Sequence, residues 1–407
     1  MTQAELAGSD FSKGFISLLE TGRTRASLRA AEILASRLGT SAADLMAASG
    51  GQGAEMDLLL LRGEQQLSAG RYAEALEFVE HVLPAVKGLT RARALRTQGR
   101  ALVESGRARD GLRVLEEASR TFEALGEREM TVRTAFDRAT AHAHLEEPGN
   151  ALVIALECEA ALRAGTLVDR TLELQVRSLL AATFTRAGDL ESADLQARLA
   201  IELAEDVVDT EALGILYSTV SVARQRRQDF AGAVSYARKS LALYEELGRE
   251  RAVGQMWHNL AAIYLQQRDY RKAGEAIDRA ERVARSAKVA PLEARLLSLR
   301  AELAAAQRRP ADAQKLATAA LDHPAASAQT RGRALLVQAR LLGQRRAAGR
   351  RWRETFEAAL TALEKEPPRI RADAHEEYAE ALAARADVKG AYEQSRLALR
   401  LLRPKLR

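Results

Sequence analysis

The sequence predicts an all-α protein, and three observations carry that reading. Proline (8 residues) and aromatic side chains (4%) are scarce among abundant alanine, leucine and arginine, a balance that favours helix over sheet. Short phrases made of a polar turn and an alanine recur along the chain. Between them, apolar residues fall three, four and seven apart, the spacing of one helix face.

Composition also narrows the functional classes. The net charge of +6 over 407 residues permits nucleic-acid or acidic partners without requiring them. The single cysteine, Cys158, excludes an internal disulfide framework and fits a reducing compartment. No apolar run reaches the roughly 20 residues of a membrane span, and the first ten residues lack the basic-then-apolar order of a secretion signal. A cytoplasmic protein without a membrane partner is expected.

Three short helices are expected at the start. Thr2 and Glu5 have the spacing of a capping box and open a helix at "QAELA". Ser12 is an N-cap for "KGFISLLE", and Gly22 is placed to end that helix in a left-handed conformation. A third follows Ser27, with Leu28, Leu34, Ala35 and Leu38 along one side. "TQAELA" (2–7), "SKGFISLLETG" (12–22) and "SLRAAEILASRLGTSAADL" (27–45) together resemble the helix-turn-helix domain of the lambda-repressor/Cro (XRE) class over residues 2–46. The resemblance implies a DNA-binding head at 1–48 whose recognition helix enters the major groove. It places Ser12, Lys13, Gly14 and Ser17 at the bases, with Gln3, Arg23 and Arg25 near phosphates. The family pattern has a further helix before Thr2, and the expectation is that an upstream start codon supplies it; the alternative is that the uncovered face docks on the repeats or on a second subunit. Leu18 stands where a basic residue is common and Ala26 where proline is usual. Five basic residues (Lys13, Arg23, Arg25, Arg29, Arg37) meet five acidic ones (Glu5, Asp10, Glu20, Glu32, Asp44), so the head is formally neutral.

"AASGGQGAE" (47–55), with three glycines, reads as a flexible connection, and residues 49–55 are assigned as linker. Beyond it the turn-then-alanine phrases end at Ala75, Ala151, Ala193, Ala233, Ala273 and Ala313, with weaker copies at Gly111 and Ala391 and room for a degenerate unit at about 329–366. Positions 151, 193, 233, 273 and 313 lie 42, 40, 40 and 40 apart. In the clearest copy Trp257, Leu260, Ala261 and Tyr264 share one helix face, and Tyr270, Ala273, Ile277 and Ala280 the next. The alanines mark the closest crossing of two antiparallel helices, where a larger side chain would overpack at about 1–3 kcal/mol. These residues resemble the tetratricopeptide repeat. The resemblance implies some eight or nine helix pairs over 56–407, stacked in a right-handed superhelix with a concave inner surface that binds ligands.

First-helix positions turned from the second helix should line that surface: Ser178, Thr185 and Arg186; Ser218, Gln225 and Arg226; His258, Asn259 and Gln266. Arg96, Arg100 and Arg133 fall on the equivalent face earlier in the chain. Such side chains hold carboxylates and backbone amides, and Asn259 in "WHNLA" matches the asparagine with which peptide-binding members of the repeat family grip a peptide backbone. The expected ligand-binding set is Arg186, Ser218, Gln225, Arg226, His258, Asn259 and Gln266. "RLLGQRRAAGRRWR" (340–353) gathers six arginines about Trp352, either a nucleic-acid or acidic-partner contact or a solvated insertion in a degenerate repeat. The six histidines are scattered, no metal-ligand spacing occurs, and no phosphate loop, dinucleotide fingerprint or nucleophile elbow is found. A non-enzyme without cofactor or metal is expected, with Cys158 as a buried structural thiol.

An XRE-type head joined to tetratricopeptide repeats resembles bacterial transcriptional regulators such as the RRNPP peptide sensors. The resemblance implies a homodimer whose groove receives a peptide or protein ligand that controls the DNA-binding head. The alternative is a tetratricopeptide interaction scaffold that does not bind DNA.

Overall fold

The computed structural model describes residues 2–8, 10–20, 26, 28–42, 52–165, 167–343 and 350–402, and every regular element among them is helical. The chain divides into two compact units, Met1–Leu145 and Glu146–Arg407.

The first unit opens with α1 (Gln3–Ala7), α2 (Lys13–Glu20) and α3 (Leu28–Leu38). The capping box forms as expected: Thr2 N donates to Glu5 Oε2 at 2.7 Å, and Glu5 N donates to Thr2 Oγ1 at 3.2 Å. Ser12 caps α2 by accepting from Phe15 N at 3.1 Å. Ile16 and Leu34 are buried beside Ala7, with Leu6, Phe11, Phe15 and Leu19 packed around them. Arg37 from α3 ties the cluster at its edge by donating to the Leu6 and Ala7 carbonyls at 2.8 and 2.7 Å, which satisfies acceptors that a helix C-terminus leaves open. Gly22 lies outside the described residues.

The repeats of the first unit pair α4 (Gln52–Ser68) with α5 (Tyr72–Val82) and α6 (Gly88–Glu104) with α7 (Ala108–Leu125), followed by α8 (Arg128–His144). The first helix starts at Gln52, so residues 52–55, assigned to the linker from their glycines, are helical instead. Glu55 in the first turn complements the helix dipole there. Gly111, a weak copy of the turn-then-alanine phrase, marks a crossing too tight for a side chain. A Cβ there would come within 2.7 Å of the Gly99 carbonyl oxygen, and one on Gly99 within 2.6 Å of Leu115 Cγ.

The second unit holds α9 (Pro148–Arg163) and six pairs: α10 (Arg170–Ala187) with α11 (Leu190–Leu203), α12 (Thr210–Arg226) with α13 (Phe230–Glu246), α14 (Glu250–Gln266) with α15 (Tyr270–Ser286), α16 (Ala290–Ala306) with α17 (Pro310–Asp322), α18 (Ala328–Gly343) with α19 (Arg351–Ala362), and α20 (Pro368–Ala383) with α21 (Val388–Leu402). The second helices open on a common plan. Asp189, Asp229 and Asp269 each cap the following helix through a side-chain oxygen, and the residue before each is left-handed: Gly188, then Gln228 and Arg268 at φ 63° and 60°. A non-glycine residue there carries a cost of roughly 1–2 kcal/mol, which the tertiary packing overrides.

No pair is stable alone, because each core is shared with its neighbours. One continuous cluster takes Leu241 and Tyr244 from α13, Leu260, Ala261 and Tyr264 from α14, Ala273, Ile277 and Ala280 from α15, and Leu292 and Leu299 from α16. The expected small residues at the crossings, Ala151, Ala193, Ala233, Ala273 and Ala313, are all fully buried, and Cys158 is buried as well. In the degenerate repeat the pattern is inverted: Trp352 occupies the crossing and is 2% exposed. It meets Phe356 and Tyr378 edge-on, with the Arg385 guanidinium 4.6 Å from its ring centroid. Trp352 is therefore a core residue and offers no stacking face to a nucleic acid, while residues 344–349 of the arginine run lie outside the described residues.

Candidate functional site

Successive first helices pack on one another in the second unit, with no comparable packing between successive second helices among the described residues. The first helices α10, α12, α14, α16, α18 and α20 therefore form an inner row, and the row curls until α20 touches α10. Ion pairs line this return. Arg226 of α12 lies 3.3 Å from Asp373 of α20, and Arg186 lies 3.6 Å from Glu146. Burial lowers the Arg226 pKa, with Asp373 opposing, while burial and then the Glu146 charge raise that of Glu366.

Inside the row, α14 and α16 carry a chain of polar groups. An Arg295 Nη2 donates to Gln255 Oε1 at 2.7 Å, and Gln255 Nε2 donates to Asn259 Oδ1 at 2.8 Å. His258 Nδ1 lies 3.4 Å from both Gln255 Nε2 and Asn259 Oδ1. With its oxygen taken, Asn259 has its two Nδ2 hydrogens left to offer. Loss of water, then the charges of Arg295 and Arg333, push the His258 pKa down to about 3, so its imidazole is neutral at pH 7. Arg295 Nε is buried without a hydrogen-bond partner among the described residues, and burial lowers the pKa of the guanidinium.

The expected ligand residues divide by this geometry. His258 and Asn259 join the polar chain. Gln225 donates to Gln266 at 2.9 Å across adjacent inner helices. Arg226 and Arg186 lie at the return of the row, and Ser218 is half-buried on α12. Ser178 and Thr185 do not line the interior: both are buried and donate to the Leu174 and Ala181 carbonyls one turn back, each at 2.7 Å. Arg295 and Gln255 were absent from the expected set, although the repeat register points to them. Gln255, Arg295, Arg333 and Asp373 occupy one position in successive first helices, with spacings of 40, 38 and 40 residues.

In the first unit the equivalent arginines are paired. Asp137 accepts from Arg96 Nε at 2.6 Å, with Arg100 Nε at 3.4 Å, and Arg133 reaches Glu129 at 2.9 Å. On the head, Lys13 and Gly14 are exposed at the start of α2. The Ser12 hydroxyl is occupied as a cap, and Gln3 Nε2 donates to Glu20 at 2.5 Å. Ser17 is half-buried. Arg23 and Arg25 lie outside the described residues. No described helix is long and apolar enough to cross a membrane.

No family model and no curated protein match the chain. Solved structures do. A Rap protein complexed with competence and sporulation factor aligns with TM-score 0.68 at 10% identity, over 85% of this chain and 97% of that one. The apo quorum sensor NprR from B. thuringiensis aligns with TM-score 0.56 at 12% identity, over 85% and 96%. A STAND ATPase with a tetratricopeptide sensor from Pyrococcus horikoshii gives 0.49 at 16% identity; the chain spans about half of it, 53%. The fold is thus that of tetratricopeptide-type helical repeat proteins.

Proposed function

We propose that the second unit is a receptor that binds a peptide or protein ligand on its inner helix row, and that the ligand controls a DNA-binding head at residues 1–48. In this reading the protein is a cytoplasmic, non-catalytic, homodimeric transcriptional regulator that needs no metal or cofactor. The observation that carries it is the polar chain Arg295, Gln255, Asn259 and His258: four half-buried groups held in register on the inside of a repeat stack, with donors unspent. Its likeness in fold to a Rap protein that holds competence and sporulation factor, and to a quorum sensor, supports the same use of the inner row. The ion pairs at the return of the row are partly exposed, with side chains 33% and 43% accessible for Arg226 and Asp373. Pairs of that kind contribute about 0–1 kcal/mol each. A ligand that prefers one curvature can therefore shift the row.

The test is a mass spectrum of the natively purified protein after denaturation. A released peptide or small protein is expected from the wild type and a reduced amount from Asn259→Ala. Repeated recovery of no ligand from wild-type protein that retains its fold would defeat the receptor reading. The interaction scaffold without DNA binding is favoured by one set of observations: Gln3 is tied to Glu20, Ser12 serves as a cap, and the head carries no net positive charge. Duplex binding at fixed salt separates the two. A regulator loses affinity and part of its salt slope, about one phosphate contact per cation removed, in the Lys13→Ala, Arg25→Ala variant. A scaffold binds weakly and equally with or without the substitutions.

A further inference from the structure

The inner row of the second unit holds an arginine whose charge is not matched locally. Arg226 has Asp373 at 3.3 Å, and Arg340 has Glu377 at 2.7 Å. Arg333 has Glu302 at 4.0 Å. Among the described residues, Arg295 is held only by the neutral Gln255 oxygen, and its Nε is buried with no partner. Burying a guanidinium without an anion is unfavourable, and proteins rarely retain such an arrangement without use. The groups beside it, Asn259 with its free amide hydrogens and the neutral His258, can donate as well. Three donor-bearing side chains on one turn of α14 and the facing turn of α16 suit an acceptor with two oxygens, because a guanidinium fork binds a carboxylate through two parallel hydrogen bonds.

From this juxtaposition we infer that the ligand of the second unit is an acidic peptide, one of whose carboxylates is bound by Arg295 while Asn259 donates to an adjacent oxygen. The inference rests on the receptor reading above and deepens it by fixing the charge of the ligand. Gln255 is a positioning residue: by accepting from Arg295 and donating to Asn259 it sets both at once. A neutral or cationic peptide leaves the Arg295 charge unmatched, and a cationic one also meets Arg333 and Arg226 nearby.

Equilibrium dialysis of the full-length chain at fixed ionic strength tests this with three probes. One is a pool of random pentapeptides carrying one Asp or Glu each and a free C-terminus. The second is the same pool with Asn, Gln and an amidated C-terminus. The third is inorganic phosphate. The wild type should retain the acidic pool about tenfold over its amide counterpart. Arg295→Gln should abolish that preference and Arg295→Lys restore part of it, with native helical circular dichroism and a cooperative melt showing that both variants fold. Equal retention of the acidic pool by wild type and Arg295→Gln overturns the inference, as does equal retention of acidic and amide pools; either outcome leaves the receptor reading standing. Retention of phosphate but of no peptide overturns it in favour of a simple anion site, and retention of no probe at all removes the receptor reading along with it.

Discussion

The two units place arginines at the same face of their first helices, and one in the second unit, Arg295, is held differently from Arg96 and Arg100 in the first. In the first unit Asp137, only 6% exposed, lies between Arg96 and Arg100, so one partly buried cation and one exposed cation share one buried anion. In the second, Arg295 is half-buried, with its Nε buried, against the neutral Gln255. A matched buried charge is mainly architectural: breaking it exposes its full desolvation cost. An unmatched one costs stability in the empty state and gives it back when a ligand supplies the missing charge. The contrast separates arginines that fix the stack from one that is available for binding.

The largest expected effect tests the matched side. Asp137→Ala strips Arg96 and Arg100 of their anion and should lower unfolding free energy by about 3–5 kcal/mol, measured by urea denaturation of the full chain. A loss below about 1 kcal/mol would place the cluster in effective contact with water and erase the distinction between the units.

How much of this contrast could be read beforehand depends on which residues carry it. The period, the capping box at Thr2 and Glu5, the Ser12 cap and the buried alanines were legible, because local hydrogen bonding and helix-face spacing decide them. Gly111 looked like a poor copy because the pattern expects a methyl group, and at this tight crossing the Gly99 carbonyl leaves no room for one. Trp352 was misleading in its arginine-rich setting, since only the packing of α20 on α19 supplies the Tyr378 ring that covers it. Ser178 and Thr185 are polar, but their hydroxyls are spent on their own helix. Arg295 needed the repeat register together with a list of what faces it across the row; sequence provides the first and only folding the second. The return of α20 to α10, between residues nearly two hundred positions apart, has no local signal at all.

A second test uses acid. Unfolded, His258 takes up a proton near pH 6.5; folded, it does so only near pH 3. Below 6.5 the unfolded state therefore binds a proton that the native state refuses, and stability declines as pH falls towards 3, at up to about 1.4 kcal/mol per pH unit. Between pH 7 and 5 the wild type should lose about 1–2 kcal/mol more than His258→Gln, measured as the difference of their urea midpoints. The comparison cancels Glu366 and Glu377, whose pKa values burial raises in both proteins. Parallel pH profiles would show that His258 is well hydrated, and that the Arg295 surroundings are wet enough to solvate the guanidinium too. An acidic ligand should shrink the difference, because its charge favours the imidazolium.

The smallest expected effect has the opposite sign to the first. Arg295→Met keeps a long apolar stem on α16 and removes the unmatched charge, so in the empty protein it should raise stability by about 1 kcal/mol. Gln255 loses a donor to its oxygen, but its side chain is only half-buried and water can replace that bond at little cost. The measurement is the urea midpoint at unchanged slope, since a change in slope would report an altered unfolded or native compactness rather than this interaction. A stabilised Arg295→Met that no longer retains acidic pentapeptides is the signature of a residue kept for binding at the expense of stability. If the midpoint instead falls, Arg295 already contributes to the empty fold as Arg96 does, and the two units use their inner arginines alike.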